Sequence, residues 1–355
     1  MIRVGLAGLG KMGVSHLAIA NSQPGVVVAG ACDTNSYVRD VLNKHTGLHC
    51  YPDLNTLLRR EELDAVIIST PTHLHAAMVR TALESKLPVF CEKPFCLNAA
   101  DGSSLIELAE TQGVTNQVGY HLRFVATFAE AARIITSGAL GEIHHVRAEA
   151  YGPVVLRPEG HTWRAQKRAG GGALYDYACH AIDLVNFLVG APEAVAGVVL
   201  ISVFSRDVED EVYCSMSFSG GATGQLAVNW SDESFRRMFV RIGVWGSNGR
   251  ISVDRQEYQL YLRKQHAALP DMRKGWTVRY TTDLTSPVGY YLRGEEYSQQ
   301  IEYFVESIRQ RRTAGINSFR SAFDADRVVA MLRGNDQSLP PVKSTKATLL
   351  RKVLG

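Results

Sequence analysis

Three glycines constrain this chain more than any other feature. Gly8-Leu9-Gly10-Lys11-Met12-Gly13 reads G-x-G-x-x-G, directly after a short apolar run at 3–7 and directly before a helical pattern at 11–21. Asp33 stands 20 residues beyond Gly13, at the end of a second apolar, β-branched run at 26–32. A strand that feeds a helix through such a turn predicts a parallel sheet and a phosphate site. Gly8 permits the tight turn, Gly10 lets the backbone approach a pyrophosphate, and Gly13 lets the helix sit close to the sheet. The free N–H groups at the helix start, with Lys11 and Met12 in its first turn, favour the phosphates. The Asp33 carboxylate would accept hydrogen bonds from ribose hydroxyls and repel a 2′-phosphate, which favours NAD over NADP.

The rest of the first third repeats this alternation. Helical patterns at 36–45, 54–60, 72–85 and 99–112 alternate with apolar runs at 65–69, 89–91 and 115–119. Short buried strands between helices predict βαβ units, and this domain is placed at 1–121. From 122 to 355 the rhythm changes. Helical segments at 128–137 and 174–188 precede β-rich segments at 196–204, 212–218, 223–230, 239–245, 249–253 and 258–263, then helices at 295–311 and 322–332. Consecutive strands without intervening helices predict an open antiparallel sheet. The helix at 322–332 is expected to pack back on the first domain.

Composition narrows the class. With 38 Lys and Arg against 35 Asp and Glu, the net charge is +3, which excludes a dedicated nucleic-acid binder as the default reading. A 21% charged and 46% hydrophobic chain is not a disordered one. The longest apolar run, 194–204, is too short for a bilayer, which takes about 20 residues. The start shows no basic, apolar, small-residue leader. The six cysteines are scattered without metal spacing, so no metal is expected and a reducing cytoplasm is.

Two further patterns suggest chemistry. Glu92-Lys93-Pro94 follows a strand, where ligands collect in a doubly wound sheet; a surface lysine fits the same spacing. At 100° per residue, Asp176, His180 and Asp183 share an arc of about 60° opposite an apolar stripe. Asp176 and His180 are four apart and could hydrogen-bond, which would fix the imidazole tautomer and raise its pKa. A solvated polar face fits equally well. Gly170-Gly171-Gly172 just ahead implies close backbone approach to something.

Taken in order, Gly8-x-Gly10-x-x-Gly13 with Asp33, Ser69-Thr70-Pro71-Thr72-His73-Leu74-His75, Glu92-Lys93-Pro94 and Gly170-Gly171-Gly172-x-x-x-Asp176-x-x-x-His180-x-x-Asp183 resemble the glucose–fructose oxidoreductase / inositol dehydrogenase / rhizopine catabolism (Gfo/Idh/MocA) family. The resemblance covers nearly the whole chain. It implies an α/β protein with an N-terminal Rossmann domain, a doubly wound parallel sheet, and a C-terminal α/β domain with a large open, mostly antiparallel sheet. It implies NAD-dependent oxidation or reduction of a hydroxyl or ketone on a cyclitol, sugar or nucleotide sugar, in a homodimer or homotetramer. Lys93 resembles the lysine that orients substrate, His180 the acid/base and Asp176 its partner. Thr70, Pro71, His75 and Glu92 resemble residues lining the cofactor. Tyr120, His121 and Arg123 follow the last Rossmann strand on the nicotinamide side. Trp163-Arg164 resembles a pair reaching over cofactor and substrate, although a packed aromatic also suits Trp163.

Tyr291 and Arg293, in the turn before the 295–311 helix, are further substrate candidates, with ordinary surface positions as the alternative. Arg327, Arg333 and Asp336, ahead of Pro340-Pro341, match the family only loosely. Two other activities remain open on this fold: redox-neutral, NAD-dependent cleavage of a glycoside, and non-catalytic NAD sensing.

Overall fold

The computed structural model describes residues 1–157 and 163–334; Asp336 and Pro340-Pro341 lie outside them. Six strands form the first sheet: β1 (Ile2–Ala7), β2 (Val26–Cys32), β3 (His49–Tyr51), β4 (Ala65–Ile68), β5 (Val89–Cys91) and β6 (Asn116–Val118). Their order is β3-β2-β1-β4-β5-β6, and every pairing is parallel. β4 is buried along its whole length, as a strand covered by helices on both faces must be. Helices α1 (Lys11–Asn21), α2 (Ser36–Thr46), α3 (Leu54–Arg60), α4 (His75–Glu84) and α5 (Ala99–Gln112) make the connections. The strand order reverses between β1 and β4, so the ends of those two strands open a crevice beside the glycine turn.

The second sheet is built around a strand that the sequence reading leaves unassigned. After α6 (Ala126–Thr136), β7 (Ile143–Tyr151) turns Val146, Ala148 and Ala150 inward and alternates them with Arg147 and Glu149. It is followed by α7 (Cys179–Leu188), then β8 (Ala194–Ile201), β9 (Glu211–Ser217), β10 (Thr223–Asn229), β11 (Phe239–Gly246), β12 (Gly249–Asp254), β13 (Glu257–Leu262) and β14 (Gly275–Tyr280). The order is β14-β13-β12-β11-β7-β10-β9-β8, with β7–β10 the parallel pair and the other pairings antiparallel. β8 stops at Ile201, not at 204 as the apolar run suggests. Beyond it the N–H groups of Val203, Phe204 and Ser205 all donate to the Asp210 carboxylate, which closes the strand in a turn.

A one-turn helix, α8 (Thr281–Leu284), precedes α9 (Glu295–Arg309) and α10 (Phe319–Leu332). Both long helices return to the first sheet. Ile301, Phe304 and Val305 of α9 share a core with Val4, Leu6 and Phe90. Phe319 of α10 stacks on Phe95 at 4.3 Å, and its backbone N–H donates to Asn116 Oδ1 at 2.8 Å. No described helix is long and apolar enough to cross a membrane.

Candidate active site

The glycine turn has the shape of a phosphate cradle. Gly8 adopts φ +93°, and a Cβ there would press on the Ser69 carbonyl. A Cβ on Gly13 would run into the Gly8 carbonyl, so α1 sits against the turn only because position 13 is glycine. Gly10 is different: a Cβ would meet nothing within 4 Å, and no side chain caps the helix there. The uncapped N–H groups of α1 therefore face open space at the ends of β1 and β4, which suits an entering pyrophosphate. Ser69 Oγ donates to the Ala7 and Gly8 carbonyls and ties β4 to the turn. The Asp33 carboxylate accepts from Leu9 N at 2.7 Å and from Asn35 N at 2.8 Å. One bond to each oxygen leaves lone pairs free for ribose hydroxyls. Arg39, unassigned by the sequence reading, donates to the Asp33 carbonyl at 2.7 Å.

The loop after β4 and the turn after β5 are stapled together. His75 is fully buried, with its ring nitrogens 2.9 Å from the carbonyl oxygens of Thr70 and Pro94. It holds the loop that carries Thr70 and Pro71 and does not itself line the cleft. Thr70 Oγ1 donates to Met78 Sδ, and Pro71 is exposed. Glu92 lies 2.6 Å from His16 Nε2 of α1 and accepts from Lys93 N at 3.1 Å. The pair links α1 to the lysine.

Lys93 crosses to the second domain. Its Nζ donates to the Asp176 carboxylate at 3.0 Å and to the Asp176 carbonyl at 3.1 Å. Arg164 Nε holds the other carboxylate oxygen at 2.9 Å while its guanidinium lies over Trp163, 4.9 Å from the ring centre. Burial pushes the Asp176 carboxyl up, but Lys93 and Arg164 outweigh it and hold it at about 2. Burial likewise opposes the Lys93 ammonium, and Asp176 outweighs it, so the amine titrates above its ordinary range. Both groups stay charged at neutral pH.

This geometry corrects four expectations. The segment 174–188 opens as a π-turn, Leu174–Ala178, before α7 begins. The uniform 100° step therefore does not hold across it. Asp176 faces Lys93 and Arg164 and makes no hydrogen bond with His180, whose Nδ1 is buried without a partner among the described residues. The His180 pKa is not raised. Burial first, then Lys93 and Arg255, hold it well below its ordinary value, so the imidazole is neutral. Asp183 is also absent from the cleft. It is fully buried and paired with Arg123 at 2.6 Å. Arg123 further donates to the Ile316 carbonyl and Ser321 Oγ, so this expected substrate ligand is a structural pin between α7 and the start of α10.

The triple glycine does permit close approach, but to the chain itself. A Cβ on Gly171 would strike the Arg164 carbonyl, and one on Gly172 the Glu209 carboxylate. Glu209 accepts from Leu174 N at 3.0 Å and so caps the π-turn, a role its sequence position does not announce.

Aromatic contacts complete the centre. Tyr120 and His121 both meet the His180 ring edge-on, with centroids 6.0 and 5.2 Å away. Tyr297 stacks on His121 at 4.4 Å, and the Arg293 guanidinium lies 5.3 Å above Tyr297. Arg293 thus reaches the site through Tyr297, whereas Tyr291 stays 66% exposed on the turn. Arg255, in the β12–β13 turn, pairs with Glu296 and faces both histidines. Sequence reasoning missed Arg255 and Tyr297; the Arg293-x₃-Tyr297 spacing at a helix start was the available signal. No cluster of three or more His, Cys, Asp or Glu side chains placed to hold a metal occurs among the described residues.

Residues 2–120 match the family model described as the oxidoreductase family, NAD-binding Rossmann fold, and residues 128–252 match that of the GFO/IDH/MocA C-terminal domain. The chain belongs to the Gfo/Idh/MocA family. Among its relatives, the myo-inositol 2-dehydrogenase of Thermotoga maritima is 25% identical over the full length of both chains. The rhizopine catabolism protein MocA of Rhizobium meliloti is 30% identical over 53% of this chain and 57% of its own. A solved levoglucosan dehydrogenase, in complex with NADH and levoglucosan, superposes with a TM-score of 0.82 at 24% identity, over 94% of this chain and 97% of that one. Within this Gfo/Idh/MocA chain, the glycine turn, Lys93 and the Asp176–His180 stretch come from three separate segments and meet where the two domains face each other.

Proposed function

We propose that this chain is an NAD-dependent dehydrogenase that interconverts a hydroxyl and a ketone on a cyclitol, sugar or nucleotide sugar. The observation that carries the reading is the Lys93–Asp176 contact beside a neutral His180, at the carboxyl edge of a dinucleotide cradle. Gly8, Gly10, Gly13 and the first turn of α1 would hold the pyrophosphate, and Asp33 the adenosine ribose. Bound NAD supplies the hydride acceptor. The chain's own groups do the rest. His180 Nε2, open to the cleft, takes the hydroxyl proton as a general base. The Lys93 ammonium, fixed by Asp176, stabilises the negative charge that develops on that oxygen. Asp176 and Arg164 position the lysine, and Trp163 and His121 border the space left for the ring.

The preference for NAD over NADP in this reading rests on Asp33, whose carboxylate would repel a 2′-phosphate on the adenosine ribose. The open face of the second sheet, edged by exposed Val199, Leu200, Trp276 and Tyr280, supports assembly into a homodimer or homotetramer. Light scattering of the purified protein checks that assembly; a monomer refutes it.

Absorbance of NADH tests the activity, with purified protein, NAD or NADP, and a panel of inositols, aldoses, amino sugars and UDP-sugars. Reduction of NAD by one class establishes the reading. Release of an aglycone without net NADH would replace it with redox-neutral glycoside cleavage.

A further inference from the structure

His121 and His180 form a pair of buried imidazoles with no acid beside them among the described residues. Their relative exposures are 6% and 3%, and their rings meet edge-on at 5.2 Å and 76°. Buried side-chain nitrogens almost always find a partner, yet the His180 Nδ1 has none among the described residues. Neither ring nitrogen of His121 bonds to another described residue. The groups facing His180 are Lys93, Arg255, Tyr120 and His121. Those facing His121 are His180, Arg255, Lys93, Arg293 and Tyr297. The nearby carboxylates are committed elsewhere, Asp176 to Lys93 and Arg164, and Glu296 to Arg255.

We propose that His121 is a second acid–base residue, which carries the proton between His180 and solvent. The inference rests on the dehydrogenase reading above. A buried imidazole ringed by cations holds a proton badly, and once charged it must release that proton before the next turnover. Among the described residues no carboxylate adjoins His180 to take it. The neutral ring of His121 is the base that touches it, and Tyr297 stacked on its face keeps that ring in place. In oxidation the hydroxyl proton moves to His180 Nε2 as the hydride leaves for the nicotinamide of NAD. It then crosses one bridging water or substrate hydroxyl to His121, and passes out to solvent. Reduction runs the same path inward. Burial and the shared cations hold both rings below their ordinary basicity, so neither traps the proton it receives.

Two measurements decide it. The first needs no substrate: NMR titration of histidine-labelled wild type, His180→Ala and His121→Asn. The relay requires the rings to be coupled, so that removing one raises the midpoint of the other by roughly half a pH unit or more. Rings that titrate independently overturn the relay, whatever the substrate proves to be. The second uses the substrate found in the NADH screen. His121→Asn should lower kcat by about 10- to 100-fold and raise the solvent deuterium isotope effect. Added imidazole should restore part of the rate to His121→Ala. A rise in KM with kcat and isotope effect unchanged would make His121 a binding residue and refute the relay.

Discussion

Lys93 Nζ and the Asp176 carboxylate are 3.0 Å apart and join the two domains across the cleft. One comes from the turn after β5 and the other from the π-turn before α7. Their contact fixes the lysine and keeps it charged. Asp176→Ala would leave Lys93 without its acid at a site where Lys93 is 17% exposed. Breaking such a pair costs on the order of 3 kcal/mol. Urea unfolding should show that loss for Asp176→Ala and a smaller one for Asp176→Asn, which keeps a hydrogen-bond acceptor. Equal stability in all three proteins would mean the pair holds nothing together.

In the proposed reaction His180 is the base. His180→Ala should leave the NADH affinity unchanged, as read by nicotinamide fluorescence, and lower kcat by about 10²- to 10⁴-fold. Unaltered turnover would remove His180 from the chemistry.

The pH profile follows from the same residue. Because burial and the facing cations depress the His180 pKa below 6.5, the neutral, base-competent ring predominates at neutral pH and is lost as pH falls through the depressed value. The kcat/KM for oxidation should therefore be flat around neutrality and decline only below pH 6.5. Asp176, held at about 2, does not titrate in that window. An acid limb above pH 6.5 would contradict this assignment.

The glycine turn separates folding from binding. Gly13→Ala places a methyl against the Gly8 carbonyl, so it should lower the melting temperature as well as cofactor affinity. Gly10→Ala meets open space at φ −69°, which alanine adopts freely. Its stability should stay within about 0.5 kcal/mol of wild type, while NADH binding weakens because the methyl occupies the phosphate approach. Asp33→Ala should weaken NAD more than NADP, since Arg39 then remains as the charge beside the ribose site. An equal loss for both dinucleotides would sink the ribose assignment.

Arg123 and Asp183 should act on stability and not on substrate binding. Their pair is 2.6 Å long and almost wholly buried. Asp183→Ala should destabilise the protein by about 3–5 kcal/mol, as removal of one buried partner does. Under conditions where the variant is folded, KM should be unchanged; a raised KM would return Arg123 to the substrate site.

Local rules in the sequence were enough for the first sheet, the glycine turn and the change of rhythm into a second sheet. Strand, turn and helix there are set by residues within a few positions of one another, as at 8–13, and by runs such as Ala65–Ile68 that have no alternative to burial. β7 escaped because its inward residues, Val146, Ala148 and Ala150, are small and separated by charges. The Lys93, Asp176 and His180 motif was legible as well, since it is written in residue types at fixed spacing. What each of these side chains touches was not. Asp176 turned to Lys93 and Arg164, and Asp183 to Arg123, because a π-turn changed the register of the helix and because cations from distant segments arrived opposite the carboxylates. Arg255, Glu296 and Tyr297 joined the site only when α9 packed on the first domain beside the β12–β13 turn. A local pattern fixes backbone shape through short-range sterics and hydrogen bonds, whereas the partner of a buried charge is chosen among segments that meet only in the folded chain.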